Sequence, residues 1–209
     1  GRRLLDPAVG IRTVWPADFH TDSTRAFYRV KSNEAGNQYR YANGGIWYLG
    51  NAWYAWALRS VGDVEGAFDF YRRTMTLDGI LQSPYGQPGL YEYRYADALA
   101  ADHGRIDKPS MMWSAGFCIG TAYRMAGFED NVWNVSVAGA APAGLQDVTA
   151  TFAFGGKKVL RRSGKGSMVT RLTVDGNEIP SRILPLDAGS GAVISVEMGP
   201  IRYPFLDSV

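Results

Sequence analysis

The chain has 209 residues, enough for one large or two small domains with a substantial core. Its 22 Lys+Arg against 20 Asp+Glu leave a net charge of +2, so nothing in the balance asks for nucleic acid, and no apolar run approaches the roughly 20 residues of a membrane helix. One cysteine, Cys118, with only two histidines, His20 and His103, excludes an internal disulfide and a zinc-type cluster, and no metal or other cofactor is expected.

The sequence opens Gly1-Arg2-Arg3, with neither Met nor a signal-type apolar core, as expected of a processed form or a piece of something longer. Residues 1 to 42 read as irregular, because Pro7, Gly10, Pro16, Asn33, Gly36 and Asn37 interrupt any helical period. Trp15 and Tyr28 are the candidates to pack inward there. His20, Asp22 and Glu34 read as solvated or turn residues.

Tyr41 to Leu58 crosses from a polar, glycine-containing loop into an aromatic helix. Asn43, Gly44 and Gly45 can hold a tight, partly left-handed backbone that folds closely over its surroundings. Trp53, Trp56 and Ala57 stand at helical spacing with Leu49 one turn earlier, which predicts a helix packed on most of its circumference. Its amino end points into the Asn43–Tyr48 loop. Trp47 precedes the packed stripe and is therefore free to face a cleft.

Asn43-Gly44-Gly45-Ile46-Trp47, followed by an aromatic and alanine helix, resembles the signature loop of the six-hairpin, or (α/α)6-barrel, glycoside hydrolases and phosphorylases. The resemblance implies a mainly α-helical fold, a helical-hairpin portion of an (α/α)6 toroid followed by a small antiparallel β-module. It also implies that the loops entering the inner helices line a sugar-binding cleft.

Beyond the Ser60-Val61-Gly62 turn, Asp63 is the expected N-cap of a helix whose Val64, Ala67, Phe68, Tyr71 and Met75 share a face. Asp78 to Gly89 turns to Gly, Pro, Ser and Gln and reads as a loop. It delivers Leu90-Tyr91-Glu92-Tyr93-Arg94-Tyr95, where tyrosines can desolvate Glu92 while Arg94 tunes it. By order along the chain, Glu92 resembles the catalytic base of the six-hairpin hydrolases. Asp97 to Pro109 reads as a short helical piece and a polar loop, and Ser110 as the cap of a helix from Met111 to Gly127. Its Trp113-Ser114-Ala115-Gly116 resembles the last-hairpin motif of the same enzymes.

All six tryptophans and eleven of the twelve tyrosines precede residue 134. The expected division is therefore a barrel portion over 1–133, a Gly/Ala/Pro linker over 134–145 and a β-sheet domain over 146–209. Past the linker the period changes from 3.6 to 2. Val148, Ala150, Phe152 and Phe154 alternate with small or polar residues, and Asp175-Gly176-Asn177 reads as a hairpin turn.

The function expected is that of a glycoside hydrolase, inverting, acting on oligo- or polysaccharide. Glu92 would be its base, and Asn43, Trp47, Tyr48, Tyr91, Tyr93, Arg94 and Trp113 would bind substrate. The general acid matches no residue, so another polypeptide or a missing N-terminal part is the expected partner. A glycoside phosphorylase, with Arg94, His103, Arg105 and Lys108 as phosphate cradle, is the first alternative. A non-catalytic carbohydrate-binding or assembly subunit is the second.

Overall fold

The computed structural model describes residues 3–17, 36–130, 134–137, 140–153, 156–166, 168–185 and 188–200. They divide into two compact units, Gly1–Ala122 and Tyr123–Val209. His20, Asp22, Tyr28, Glu34 and Phe154 lie outside the described residues.

The six-hairpin resemblance and the mainly helical fold are overturned. The described residues form four α-helices, α1 (Tyr48–Ser60), α2 (Val64–Met75), α3 (Leu77–Gln82) and α4 (Met112–Met125), amid sheets of two, three and five strands. A toroid of helical hairpins has helices where this chain places sheet, so the fold is mixed α/β. The misreading centres on Leu90–Tyr95. Tyrosines at 91, 93 and 95 recur with period 2, the strand signal, and strand is what they form.

The first unit opens with a small hairpin, β1 (Leu5–Asp6) against β2 (Gly10–Ile11), where irregular chain was expected. The Asp6 carboxylate closes its turn by accepting the N–H groups of Ala8 and Val9. A three-stranded antiparallel sheet follows, ordered β3 (Ile46–Trp47), β4 (Tyr91–Arg94), β5 (Ile106–Pro109). Its register sets Trp47 beside Tyr93 and Tyr93 beside Asp107.

The buried face of α1 is Tyr48, Asn51, Ala52 and Ala55, spaced i, i+3, i+4, i+7. It is not the expected Trp53–Trp56–Ala57 stripe: Trp53 is 57% exposed. The small Ala52 and Ala55 let the helix come close. Asn51 stitches it down, accepting from Ile11 N at 2.8 Å and donating to Tyr91 Oη at 3.1 Å.

Asp63 caps α2 through Gly66 N at 2.9 Å, as its position predicts, and Tyr54 meets Phe70 edge-on at 4.8 Å to hold α1 and α2 together. The segment expected as loop from Asp78 begins as α3, capped by Thr76. Gly79 sits there because a Cβ would lie 2.0 Å from the carbonyl oxygen of Arg72. Asp97 to Pro109 carries turns and β5 rather than a helical piece, and α4 starts at Met112. Tyr48, Ala52, Met75, Ile80, Tyr91 and Ile106 form the core, with Trp56, Trp113 and Phe117 against it.

In the second unit a five-stranded sheet runs in the order β11 (Asn177–Glu178), β10 (Met168–Val174), β12 (Val193–Gly199), β9 (Lys157–Ser163), β8 (Val148–Ala153). The expected antiparallel module is corrected here too, because β12 pairs in parallel with β9. After β11 the chain leaves the sheet: Leu184 N donates to Val135 O and Val137 N to Arg182 O, beside the β6 (Phe128–Asp130) and β7 (Val135–Val137) pair. It then re-enters between β10 and β9. The expected turn is there but shorter: Asp175 and Gly176, with φ of 49° and 82°, make a two-residue turn and Asn177 already opens β11. Phe128, Phe152, Leu160, Leu172, Ile194 and Val196 are central to this unit's core. Among the described residues no helix is long and apolar enough to cross a membrane.

Candidate functional site

Strand β4 buries four consecutive side chains, Tyr91, Glu92, Tyr93 and Arg94. A strand with both faces covered gives each side chain a fixed environment, and the four environments differ.

Tyr91 is fully buried, donates to Thr74 O at 3.2 Å, and its phenol is pushed up to about 12, burial being the largest cause. Tyr48, also fully buried, donates to Met75 O, and burial drives its phenol far above the ordinary range. Both belong to the core and not to a binding surface. Arg94 is fully buried as well: its Nε donates to Gly104 O at 2.7 Å, and its Nη2 to Ser83 Oγ at 2.6 Å and Pro84 O at 3.0 Å. Desolvation lowers its pKa, and the guanidinium sits 5.7 Å from the Tyr91 ring centre. These three were expected to bind substrate. The structure buries all three.

Glu92 and Tyr93 face a different setting. The rings of Tyr41, Trp47, Tyr93 and Trp113 form a contiguous group, Trp47 lying 5.0 Å from Tyr41, 6.3 Å from Tyr93 and 6.5 Å from Trp113. The Tyr93 hydroxyl donates to Asp107, and burial first, then that bond, raises its phenol. Trp47 Nε1 donates to Tyr41 O at 3.0 Å, which fixes the indole edge and leaves its carbon face for contact. Trp113 stands at the start of α4, where the buried Ser114 anchors the helix to β4 by donating to Tyr91 O at 2.6 Å.

Two of these rings, Tyr41 and Trp47, flank the Asn43–Gly45 loop. Asn43 is buried and donates to Gly36 O at 3.3 Å; Gly44 has φ of 92°. A Cβ on Gly45 would lie 2.6 Å from Tyr41 O and 3.0 Å from the Tyr93 ring, so only glycine lets the loop lie against the strand. Asn43 thereby shapes the loop.

Two carboxylates are buried among the described residues, Asp6 and Glu92. Asp6 is committed, receiving Arg12 Nη2 at 3.1 Å, His103 Nε2 at 2.9 Å and two backbone N–H groups. Glu92 is not. Its Oε2 forms one ion pair, with Lys108 Nζ at 2.8 Å, and no other donor reaches that oxygen. The lysine is half exposed and raised above its ordinary pKa, its bond to Glu92 being the largest cause.

The four cations expected as a phosphate cradle do not converge. Arg94 serves backbone carbonyls, His103 serves Asp6, Lys108 serves Glu92, and exposed Arg105 lies 5.9 Å from the Tyr95 ring. Among the described residues no three His, Cys, Asp or Glu gather as metal ligands.

Beside the ring group lies a carbon-lined cleft of about 540 Å³, bounded by Ile11, Thr13, Trp47, Leu49, Trp53 and Tyr54. Trp47 belongs to both. Sequence reasoning gave Tyr41 no role, placed Trp53 on the packed stripe of its helix and set Lys108 only in the phosphate cradle. A tyrosine beside the Asn-Gly-Gly loop was the available signal for the first, and the tryptophan at i+6 from Trp47 for the second. No local signal marks Lys108, which is brought to Glu92 only by β5 pairing with β4.

No protein-family model matches the chain, and no curated protein matches it.

Proposed function

We propose that the first unit binds carbohydrate across the Tyr41–Trp47–Tyr93–Trp113 ring group and contributes Glu92 as the base of glycoside hydrolysis. The observation that carries this reading is the pairing of a nearly buried, singly partnered carboxylate with a wall of aromatic rings. Flat rings take the C–H faces of sugars, and their polar edges take hydroxyls. The neighbouring cleft falls within the ~300–1,000 Å³ usual for small-ligand sites.

A base in an inverting reaction draws a proton from water on the far side of the sugar. The leaving group needs an acid about 6.5–9.5 Å from it. Asp6 and Asp107 already serve other partners, the latter accepting Tyr93 Oη and Lys108 N, so the acid comes from outside this cluster. From a p-nitrophenyl glycoside the leaving group departs as p-nitrophenolate without protonation, and turnover therefore reads the base alone. With a panel of such glycosides, Glu92→Gln should lower turnover by a factor on the order of 100 to 10,000. Unchanged turnover in that variant removes Glu92 from the chemistry. Sugar binding that depends on Trp47 without any turnover makes the chain a carbohydrate-binding module instead.

A further inference from the structure

The ion pair that holds Glu92 stands on unusual backbone. Lys108 has φ of 49° and Tyr41 has φ of 41°, a left-handed conformation that side chains larger than glycine rarely adopt. Nothing in a β-strand calls for it at position 108, the third residue of β5. Its consequence is geometric: Lys108 Nζ reaches Glu92 Oε2 at 2.8 Å while resting 4.7 Å above the centre of the Tyr41 ring.

Tyr41 is itself braced. Its ring packs on Trp47 at 5.0 Å and on Tyr93 at 5.5 Å, and its carbonyl accepts from both Gly45 N and Trp47 Nε1. The ammonium is thus held between one aromatic face and one carboxylate oxygen. Oε1, the opposite oxygen, makes no hydrogen bond within the described residues, so the clamp takes one oxygen of Glu92 and leaves the other to act.

We propose that Lys108, seated on Tyr41, is the positioning residue that orients Glu92 for proton abstraction. The proposal rests on the reading of Glu92 as base. Lys108 touches no sugar in it and acts only through the carboxylate. The charged and titratable groups facing Lys108 are Glu92 from β4, Tyr41 from the loop and Asp107 from its own strand. Misplacing a catalytic group by an ångström lowers reaction rates on the order of 100-fold, and a loss of that size is the effect expected from releasing Glu92.

The test uses the full chain with four substitutions. First, the ammonium of Lys108 is titrated by nuclear magnetic resonance in the wild type and in Glu92→Gln. Its midpoint should fall in the variant, and an unmoved midpoint overturns the clamp without any activity measurement. Second, p-nitrophenyl glycoside turnover is measured in Lys108→Met, Lys108→Arg and Lys108→Gly. The Met variant should lose kcat on the order of 100-fold at nearly constant KM, and Arg should recover part of it.

Lys108→Gly separates the clamp from plain structure. Both variants lose the ion pair and only glycine relieves the left-handed backbone, so Lys108→Gly should melt no lower than Lys108→Met yet show the same loss of kcat. Full turnover in both Met and Gly variants, with Glu92→Gln inactive, overturns the positioning role and leaves the base reading standing. Full turnover in Glu92→Gln overturns the base reading itself.

Discussion

Arg94 offers the sharpest test of how the site is built, because its sequence neighbourhood assigns it to substrate and its burial assigns it to structure. Arg94→Ala removes a charged donor that serves Gly104 O at 2.7 Å, Ser83 Oγ at 2.6 Å and Pro84 O at 3.0 Å, all around a fully buried side chain. A hydrogen bond involving a charged group contributes about 1.5–3 kcal/mol, so simple addition gives about 4.5–9 kcal/mol. Water entering the vacated space re-solvates part of the three orphaned neutral oxygens, so the low end, about 3–5 kcal/mol, is the better expectation. In a unit of this size that lowers the melting temperature by roughly 10–20 °C.

Urea titration of the full chain with a tryptophan fluorescence readout measures the loss once Trp133 is replaced by Phe in both proteins, since the other five tryptophans lie in the first unit. Sugar affinity below the new melting point should stay close to wild type. A loss under about 1 kcal/mol together with weakened sugar binding would refute the reasoning and return Arg94 to the binding surface.

The buried phenols predict an alkaline limit. Tyr91 rises from 10.0 to about 12, and Tyr48, Tyr71 and Tyr93 are raised too, each with burial as the largest cause. A folded-state pKa raised above the unfolded one gives stability that is whole below the unfolded value and fades as pH climbs through the folded one. Stability of the first unit should therefore hold to about pH 10 and fall toward pH 12, with tyrosinate absorbance appearing together with unfolding; ionisation of all tyrosines before any unfolding would contradict it. Trp53, 57% exposed on the cleft wall, should be replaceable by Ala with a stability change within about 0.5 kcal/mol while weakening any ligand held in the cleft, as calorimetry with a bound oligosaccharide would show.

What could be read in advance followed local chemistry. The Asn43–Gly45 loop needs glycine for reasons confined to a few residues, Asp63 caps the helix it precedes, and Asp175-Gly176 makes its turn. The face of α1 was misjudged because size was taken for burial. Alanines packed inward and the larger Trp53 stayed out, a choice made by how closely the helix approaches β2 and β4 through Asn51. The identity of β4 was misjudged because order along the chain was weighed above the period of its tyrosines. Partnerships across long separations carried no local signal at all: Asp6 with His103, 97 residues apart, or Glu92 with Lys108 across a hairpin.

Backbone strain ties these partnerships to the site. Six described residues other than glycine have positive φ, and four of them, Tyr39, Tyr41, Lys108 and Ser110, lie in the two segments that flank β4. Each costs roughly 1–2 kcal/mol and persists only where the surroundings fix it. Tyr39 is fixed by its carbonyl accepting from Ala96 N, Tyr41 by Gly45 N, and Ser110 by its own N–H donating to Leu90 O at 2.7 Å. Glycine would satisfy the same backbone bonds with less strain, so these bonds do not explain why side chains stand there. At Tyr41 and Lys108 an explanation is at hand, since the Lys108 ammonium that pairs with Glu92 rests on the Tyr41 ring. Ser110 is exposed and has no such contact, which makes the pair at Glu92 the part of this strain that points to chemistry.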